Sequence, residues 1–238
     1  MPDRRRHRGL HPEDRALFSR EALPGLRAAC TELSWLLDRG YPPVSSLKLV
    51  GDRHQLTARQ RSAVSRAACA DSLRDARAAK RVASAQLRGV TLQLDGFNVL
   101  TTLEVALGGG VVLGSRDGTL RDIAGVHGSY RRVQETEAAL RLVAAFTRER
   151  GVEQCVWLLD RPVSNSGRLR SFMEELAATE QLAWSVELVP DPDRVLIGST
   201  HVIASADGEV LDGCTRWHNL TREIVDTRVP DAYVVDLS

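Results

Sequence analysis

The chain has 238 residues, with 32 Lys and Arg against 31 Asp and Glu and a net charge of +1. Apolar residues at 43% and charged residues at 26% are those of a globular chain able to bury roughly 70–75% of its unfolded surface. No apolar run approaches the ~20 residues of a membrane-spanning helix, the basic start MPDRRRHRGLHPEDR lacks the apolar stretch of a secretory leader, and Cys30, Cys69, Cys155 and Cys214 show no CxxC spacing. Membrane, secreted and zinc-knuckle classes are thereby set aside, and cytoplasm is the expected setting.

The small net charge hides a split. Residues 1–88 carry 18 Lys and Arg against 9 Asp and Glu, a net of +9, whereas residues 89–238 carry 14 against 22, a net of −8. The basic part points to a polyanion, RNA first, with tRNA or the ribosome as candidate partners and no membrane. Attraction between the two parts explains the same split without any partner.

In chain order, His11-Pro12-Glu13-Asp14 opens a helical stretch whose Leu17, Leu23, Leu26, Ala29, Leu33, Leu36 and Leu37 recur at helical spacing. Pro24-Gly25 is expected to break or kink it, and Gly40-Tyr41-Pro42-Pro43 to end it. Thr57-Ala58-Arg59-Gln60 reads as a capping box, and the Ala- and Arg-rich stretch to Gln86 as one long helix. Its Arg59, Arg61, Arg66, Arg74, Arg77, Lys80 and Arg81 form a candidate basic face. From residue 89 onward, buried-strand runs at 90–94, 155–159, 186–189 and 201–204 alternate with helices expected at 98–107, 132–150, 166–180 and 217–226. A hairpin is expected around Gly114-Ser115-Arg116-Asp117-Gly118, and Tyr233-Val234-Val235 as an edge strand. The expected architecture is α/β: a basic helical domain over 1–88 and, over 89–238, a domain with a mainly parallel sheet.

Acids follow each of the four strands: Asp95, Asp160, Asp191 with Asp193, and Asp207. Strand carboxyl ends share one edge of a parallel sheet, so these carboxylates should converge there. Such a set repels itself unless a cation neutralises it, and its hard oxygens suit Mg²⁺ or Mn²⁺. The competing reading makes each Asp a helix cap. Asn98 is a further candidate beside Asp95, or a helix cap itself. Ser164, Asn165, Ser166 and Arg168 precede a helix and could take phosphate. In the loop 116–132, Arg121, Arg131 and Arg132 could hold phosphate, Tyr130 could stack on a base, and His127 could act as a general base. No GxxxxGK[ST] loop is present, which argues against a Walker-type nucleotide hydrolase.

HPEDRALF and LSWLLDRGYPPVSSLKLVGDRHQLTARQR resemble the prokaryotic family catalogued as domain of unknown function 434. LDGFNVLTTLEVAL, RDGTLRDIAGVHGSYRR, LLDRPVSNSGRL and SADGEVLD resemble the C-terminal domain that accompanies it. More distantly, LQLDGFNVL and HVIASADGEVLD are similar to the first and late strands of PIN-like, NYN-type ribonuclease domains. That likeness implies an α/β/α sandwich cleaving RNA at an Mg²⁺- or Mn²⁺-dependent site. Asp95, Asn98 and Asp207 match its motif and Asp160 stands where a middle-strand acid would, so that Asp95, Asp160 and Asp207 would bind the metal while Asp191 or Asp193 would add charge or orient water. Two rivals stand beside this: a non-catalytic RNA- or ribosome-associated module, and an enzyme acting on a small phosphorylated metabolite.

Overall fold

The computed structural model describes residues 7–123 and 128–238. The N-terminal third is helical: α1 (Asp14–Leu17), α2 (Leu23–Asp38), α3 (Pro43–Arg53), α4 (Ala58–Ala67) and α5 (Asp71–Ala79). The expected helix is broken between α1 and α2, just before Pro24, which lies in the first turn of α2 where its missing N–H costs nothing and so does not kink that helix. The chain leaves α2 through Gly40 at φ +77°, and Pro43 begins α3 in the same way. The capping box at Thr57 is present: Gln60 N donates to Thr57 Oγ1 at 3.3 Å and Thr57 N donates to Gln60 Oε1 at 3.1 Å.

The single long helix expected from Thr57 to Gln86 is instead α4, α5 and a short 3-10 turn at Ser84–Gln86. Tertiary bonds make the break. Ala68 is extended, Ala67 O accepts from Arg116 N at 3.0 Å, and Cys69 N donates to Ser34 Oγ at 3.2 Å. These partners are invisible to helix propensity, which local sequence alone determines.

The rest alternates strands and helices: β1 (Thr91–Asp95), α6 (Gly96–Leu107), β2 (Val111–Gly114), β3 (Leu120–Asp122), α7 (Thr136–Arg150), β4 (Gln154–Asp160) and α8 (Ser166–Thr179). There follow β5 (Trp184–Val189), α9 (Pro192–Ile197), β6 (Val202–Ala204), α10 (Gly208–Gly213), α11 (Leu220–Arg228) and β7 (Tyr233–Asp236). The α7 and α11 starts fall later than expected. Before α11, Trp217 N donates to Lys80 O and His218 N to Ile203 O, so 217–218 runs as extended chain beside β6.

Strands β5, β4, β1 and β6 form a parallel sheet in that order. One face carries a core of Leu92, Leu94 and Trp157 from the strands against Leu103, Leu140 and Met173 of α6, α7 and α8. The other face packs Val156, Leu158 and Ile203 from the strands against Leu196 of α9, Val210 of α10 and Trp217 before α11. The sheet is thus covered on both sides, as parallel sheets require. A second sheet, β3-β2-β7, pairs β2 antiparallel to β3 and parallel to β7. Its Val111, Leu113 and Val235 share a core with Leu26, Ala29, Leu33 and Val64 of the helical segment.

The charge split is realised as ion pairs across the same junction. Arg77 bonds Asp117 at 2.6 Å and Asp212 at 2.7 Å, Arg116 bonds Asp71 at 2.9 Å, and buried Arg8 bonds buried Glu104. Lys80 Nζ donates to Leu211 O and Asp212 O. Arg59, Arg61 and Arg74 pair with Asp14, Asp52 and Asp71, and Arg66 donates to Asp122 O. Of the expected basic face, Arg59, Arg61, Arg74 and Arg77 thus meet carboxylates within the chain, while Arg66 and Lys80 are tied to carbonyl oxygens. No helix among the described residues is long and apolar enough to cross a membrane.

Candidate functional site at the carboxyl edge of the parallel sheet

Sheet order sets the location. β1 lies between β4 and β6, and the chain passes from β1 towards β4 and β5 before returning to β6 on the other flank. Connections leave β1 and β6 in opposite senses, and a crevice opens at the carboxyl ends of such a strand pair.

Asp95 is the last residue of β1 and also caps α6, where its Oδ1 accepts from Asn98 N at 3.4 Å. Its Oδ2 accepts from Ser205 Oγ at 2.7 Å, and Ser205 Oγ accepts from Asp207 N at 3.0 Å. Gly96 permits this geometry: a Cβ there would stand 2.6 Å from Leu158 O, a backbone atom that cannot move aside. Asn98 does not cap α6. Its Oδ1 accepts from Ala206 N at 2.9 Å, tying α6 to the loop after β6. Asp207 caps α10 through Glu209 N at 2.8 Å and Val210 N at 3.2 Å, and Asp191 caps α9 through Arg194 N at 3.1 Å. Asp160 ends β4. Ser205 was not legible as a site residue; its position two before Asp207 in SADG was the available signal.

Electrostatics separates these acids into a hierarchy. Burial pushes the Asp95 carboxyl up to about 7, the Ser205 bond opposes this, and the charges of Asp193 and Asp207 add to it. Burial pushes Asp193 up to about 6, helped by Asp207, Asp160, Asp191 and Glu209. Asp160 is raised by burial and by Asp191. Asp95 therefore feels the charges of Asp193 and Asp207, and Asp193 feels that of Asp160. Among the described residues no group of three or more His, Cys, Asp or Glu side chains could hold a metal ion as placed. The donor chemistry suits a hard cation, but the caps hold the carboxylates in a set that lacks a ready three-ligand cage.

A cleft of about 350 Å³ opens beside this set, lined by Arg66, Arg77, Asn98, Arg121, Asp207 and Gly208 among others. Arg121 donates to Ala206 O at 2.7 Å and pairs with Asp117 at 2.6 Å, while Arg77 donates to Gly208 O at 3.1 Å. The two guanidinium groups thereby hold the backbone of the loop that carries Asp207. Arg121 is committed to this work, and the pair draws the hairpin and the helical segment into the site.

The remaining predicted residues gather elsewhere. A second cavity, of about 550 Å³, is lined by Tyr130, Arg131, Arg132, Asn165, Arg168 and Leu169. Tyr130 is buried, with its ring 5.2 Å from that of Phe97 and its hydroxyl bonded to Glu104 and Thr136, and burial raises its phenol. Its ring is a core side chain, leaving no face on which a base could stack. Asn165 stands at φ +71° because Nδ2 donates to Tyr130 O at 2.9 Å. Ser164 N donates to Gly128 O, and Tyr130 N donates to Ser164 O. Ser166 is buried, its Oγ directed at Arg161 O at 3.5 Å. His127 lies outside the described residues.

The fold and site define an α/β domain with an acidic strand edge, braced by a helical segment. The chain belongs to the family described as Domain of unknown function (DUF5616), which matches residues 84–223, and residues 25–80 match Protein of unknown function (DUF434). The chain is similar to the uncharacterised protein MJ0935 of Methanocaldococcus jannaschii, at 25% identity over 186 residues, 78% of this chain and 88% of that one. No solved structure matches.

Proposed function

We propose that the chain hydrolyses phosphodiester bonds of RNA at the carboxyl edge of β1 and β6. The observation that carries this reading is the buried Asp95 carboxyl, raised by burial and by the charges of half-buried Asp193 and Asp207, at the point where the parallel sheet opens a crevice. Its likeness to the PIN-like, NYN-type first strand supports RNA as the substrate and a PIN-like assignment of the domain. Structured RNA such as tRNA or ribosomal RNA is the partner class. Asp95, Asp193 and Asp207 would hold Mg²⁺ or Mn²⁺, with phosphate oxygens of the substrate completing a shell that the chain alone leaves short. Once bound, the cation supplies Lewis acidity at the phosphate. Ser205 orients the Asp95 carboxylate, Asn98 fixes the loop after β6, and Asp160 and Asp191 deepen the negative field.

One observation favours a second reading, a non-catalytic RNA-binding module: Asp95, Asp191 and Asp207 all serve as helix caps. The test is cleavage of total RNA in Mg²⁺ and Mn²⁺, with the native chain beside Asp95→Asn and Asp193→Asn. Loss of about 100-fold or more in each variant, with an intact fold, is expected. Equal cleavage by native chain and variants would remove the site assignment, and RNA binding without cleavage in either metal would establish the second reading.

A further inference from the structure

The cavity between the segment 128–132 and the start of α8 serves no purpose in the carboxylate site. Among the described residues its lining brings together three guanidinium groups, from Arg131, Arg132 and Arg168, and no Asp or Glu. Arg59, Arg61, Arg74, Arg77, Arg116 and Arg121 each meet a carboxylate, and the sequence from residue 89 onward is net acidic. Neither Arg132 nor Arg168 forms an ion pair among the described residues. Arg132 is held in place by stacking, its guanidinium carbon 4.3 Å from the centroid of the Phe172 ring on α8. Stacking directs the planar fork without satisfying its donors, which remain for an anion.

The walls are fixed before any ligand arrives. The Gly128 O, Ser164 N, Ser164 O and Tyr130 N bonds zip the two loops together, and the Asn165 amide is fastened to Tyr130 O. Buried Leu169 gives the cavity an apolar wall beside the Tyr130 backbone. The amide bond to Tyr130 also turns Asn165 away from α8, which begins without a side-chain cap. A volume of about 550 Å³ holds a phosphate together with the sugar that bears it.

We propose that this cavity binds a phosphate group, with Arg132 and Arg168 as the guanidinium clamps and Arg131 at its rim. The inference stands apart from the hydrolytic reading: it requires neither the carboxylates nor a cation. The shared ligand chemistry is a phosphate monoester or inorganic phosphate, and the sources are separable. Calorimetry at low salt, without divalent metal, would titrate the native chain with inorganic phosphate and with a 5′-phosphorylated trinucleotide. Arg132→Gln and Arg168→Gln, with thermal melting to confirm their fold, would follow.

Each variant should bind about tenfold or more weaker, the scale of one charge-assisted hydrogen-bonding partner. Tighter binding of the trinucleotide than of phosphate assigns a nucleotide ligand, and equal binding assigns the phosphate itself. No binding of either probe by the native chain, or affinities unchanged in both folded variants, overturns the proposal. Asp95→Asn should leave phosphate affinity untouched. A chain that binds phosphate here but cleaves no RNA would fail the hydrolytic reading and leave this one standing.

Discussion

Replacing Asp95 by Asn should make the protein more stable at neutral pH. In the folded chain the Asp95 carboxyl titrates near 7, raised chiefly by burial, whereas in an unfolded chain an Asp titrates near 3.9. A folded pKa above the unfolded one means that, as pH climbs from about 4 to 7, the unfolded chain sheds this proton first. Stability from this group is therefore present below about pH 4, falls through that window, and levels off above pH 7. Three pH units at 1.36 kcal/mol each give a loss of about 4 kcal/mol. The amide is uncharged and keeps an oxygen to accept from Asn98 N, while its exchanged bond with Ser205 costs about 1 kcal/mol. Asp95→Asn should then exceed the native chain by about 3 kcal/mol at pH 8, a rise in Tm of roughly 10 °C for a domain of this size. The two should nearly coincide at pH 4. The assay is urea unfolding at pH 4, 6 and 8 in a chelator, since a bound cation would stabilise the ionised form. Asp193, raised to about 6, leaves a residual slope in both proteins. A variant less stable than the native chain at pH 8, or a pH dependence identical to it, would refute the account of Asp95 as a destabilising buried charge. A residue that is costly to the fold and central to the crevice is the pattern of a functional site.

Gly96→Ala should destabilise by about 1–3 kcal/mol and displace Asp95, because its Cβ meets Leu158 O; thermal melting and RNA cleavage would both register it. Arg77→Met should cost about 3 kcal/mol in urea unfolding, since it strips Asp212 and Gly208 O of their buried partner, and normal stability would show the junction network to be dispensable. Glu104→Gln should cost about 3 kcal/mol by leaving the buried Arg8 without its carboxylate, measured by denaturant unfolding against the native chain. Ser205→Ala removes the bond that opposes burial at Asp95, so the carboxyl should titrate higher still, read by NMR of the Asp95 carboxyl carbon.

The sequence by itself determined the features that are decided within a few residues. The apolar runs located the parallel strands, Thr57 with Gln60 located a helix start, Gly118 located the hairpin turn at φ +79°, and the motifs located the family. The placement of an acid after every strand was also legible, because it is a matter of local order along the chain. Tertiary structure decided the rest. Helix α4 ends at Ala67 because its terminal carbonyl is taken by Arg116 and Cys69 N by Ser34, partners 49 and 35 residues away. Tyr130 sits in the core because Glu104 and Thr136 offer its hydroxyl a buried partner. The candidate phosphate-binding residues divided between two cavities, with Arg121 committed to Asp117 and Ala206 O. Asp193, rather than Asp160, became the neighbour that Asp95 feels, and Ser205, 110 residues further along the chain, became its hydrogen-bond donor. The reason is physical: propensity and capping act over one turn or one strand, whereas burial, charge and hydrogen-bond partnership depend on which distant segments the packed sheet brings together.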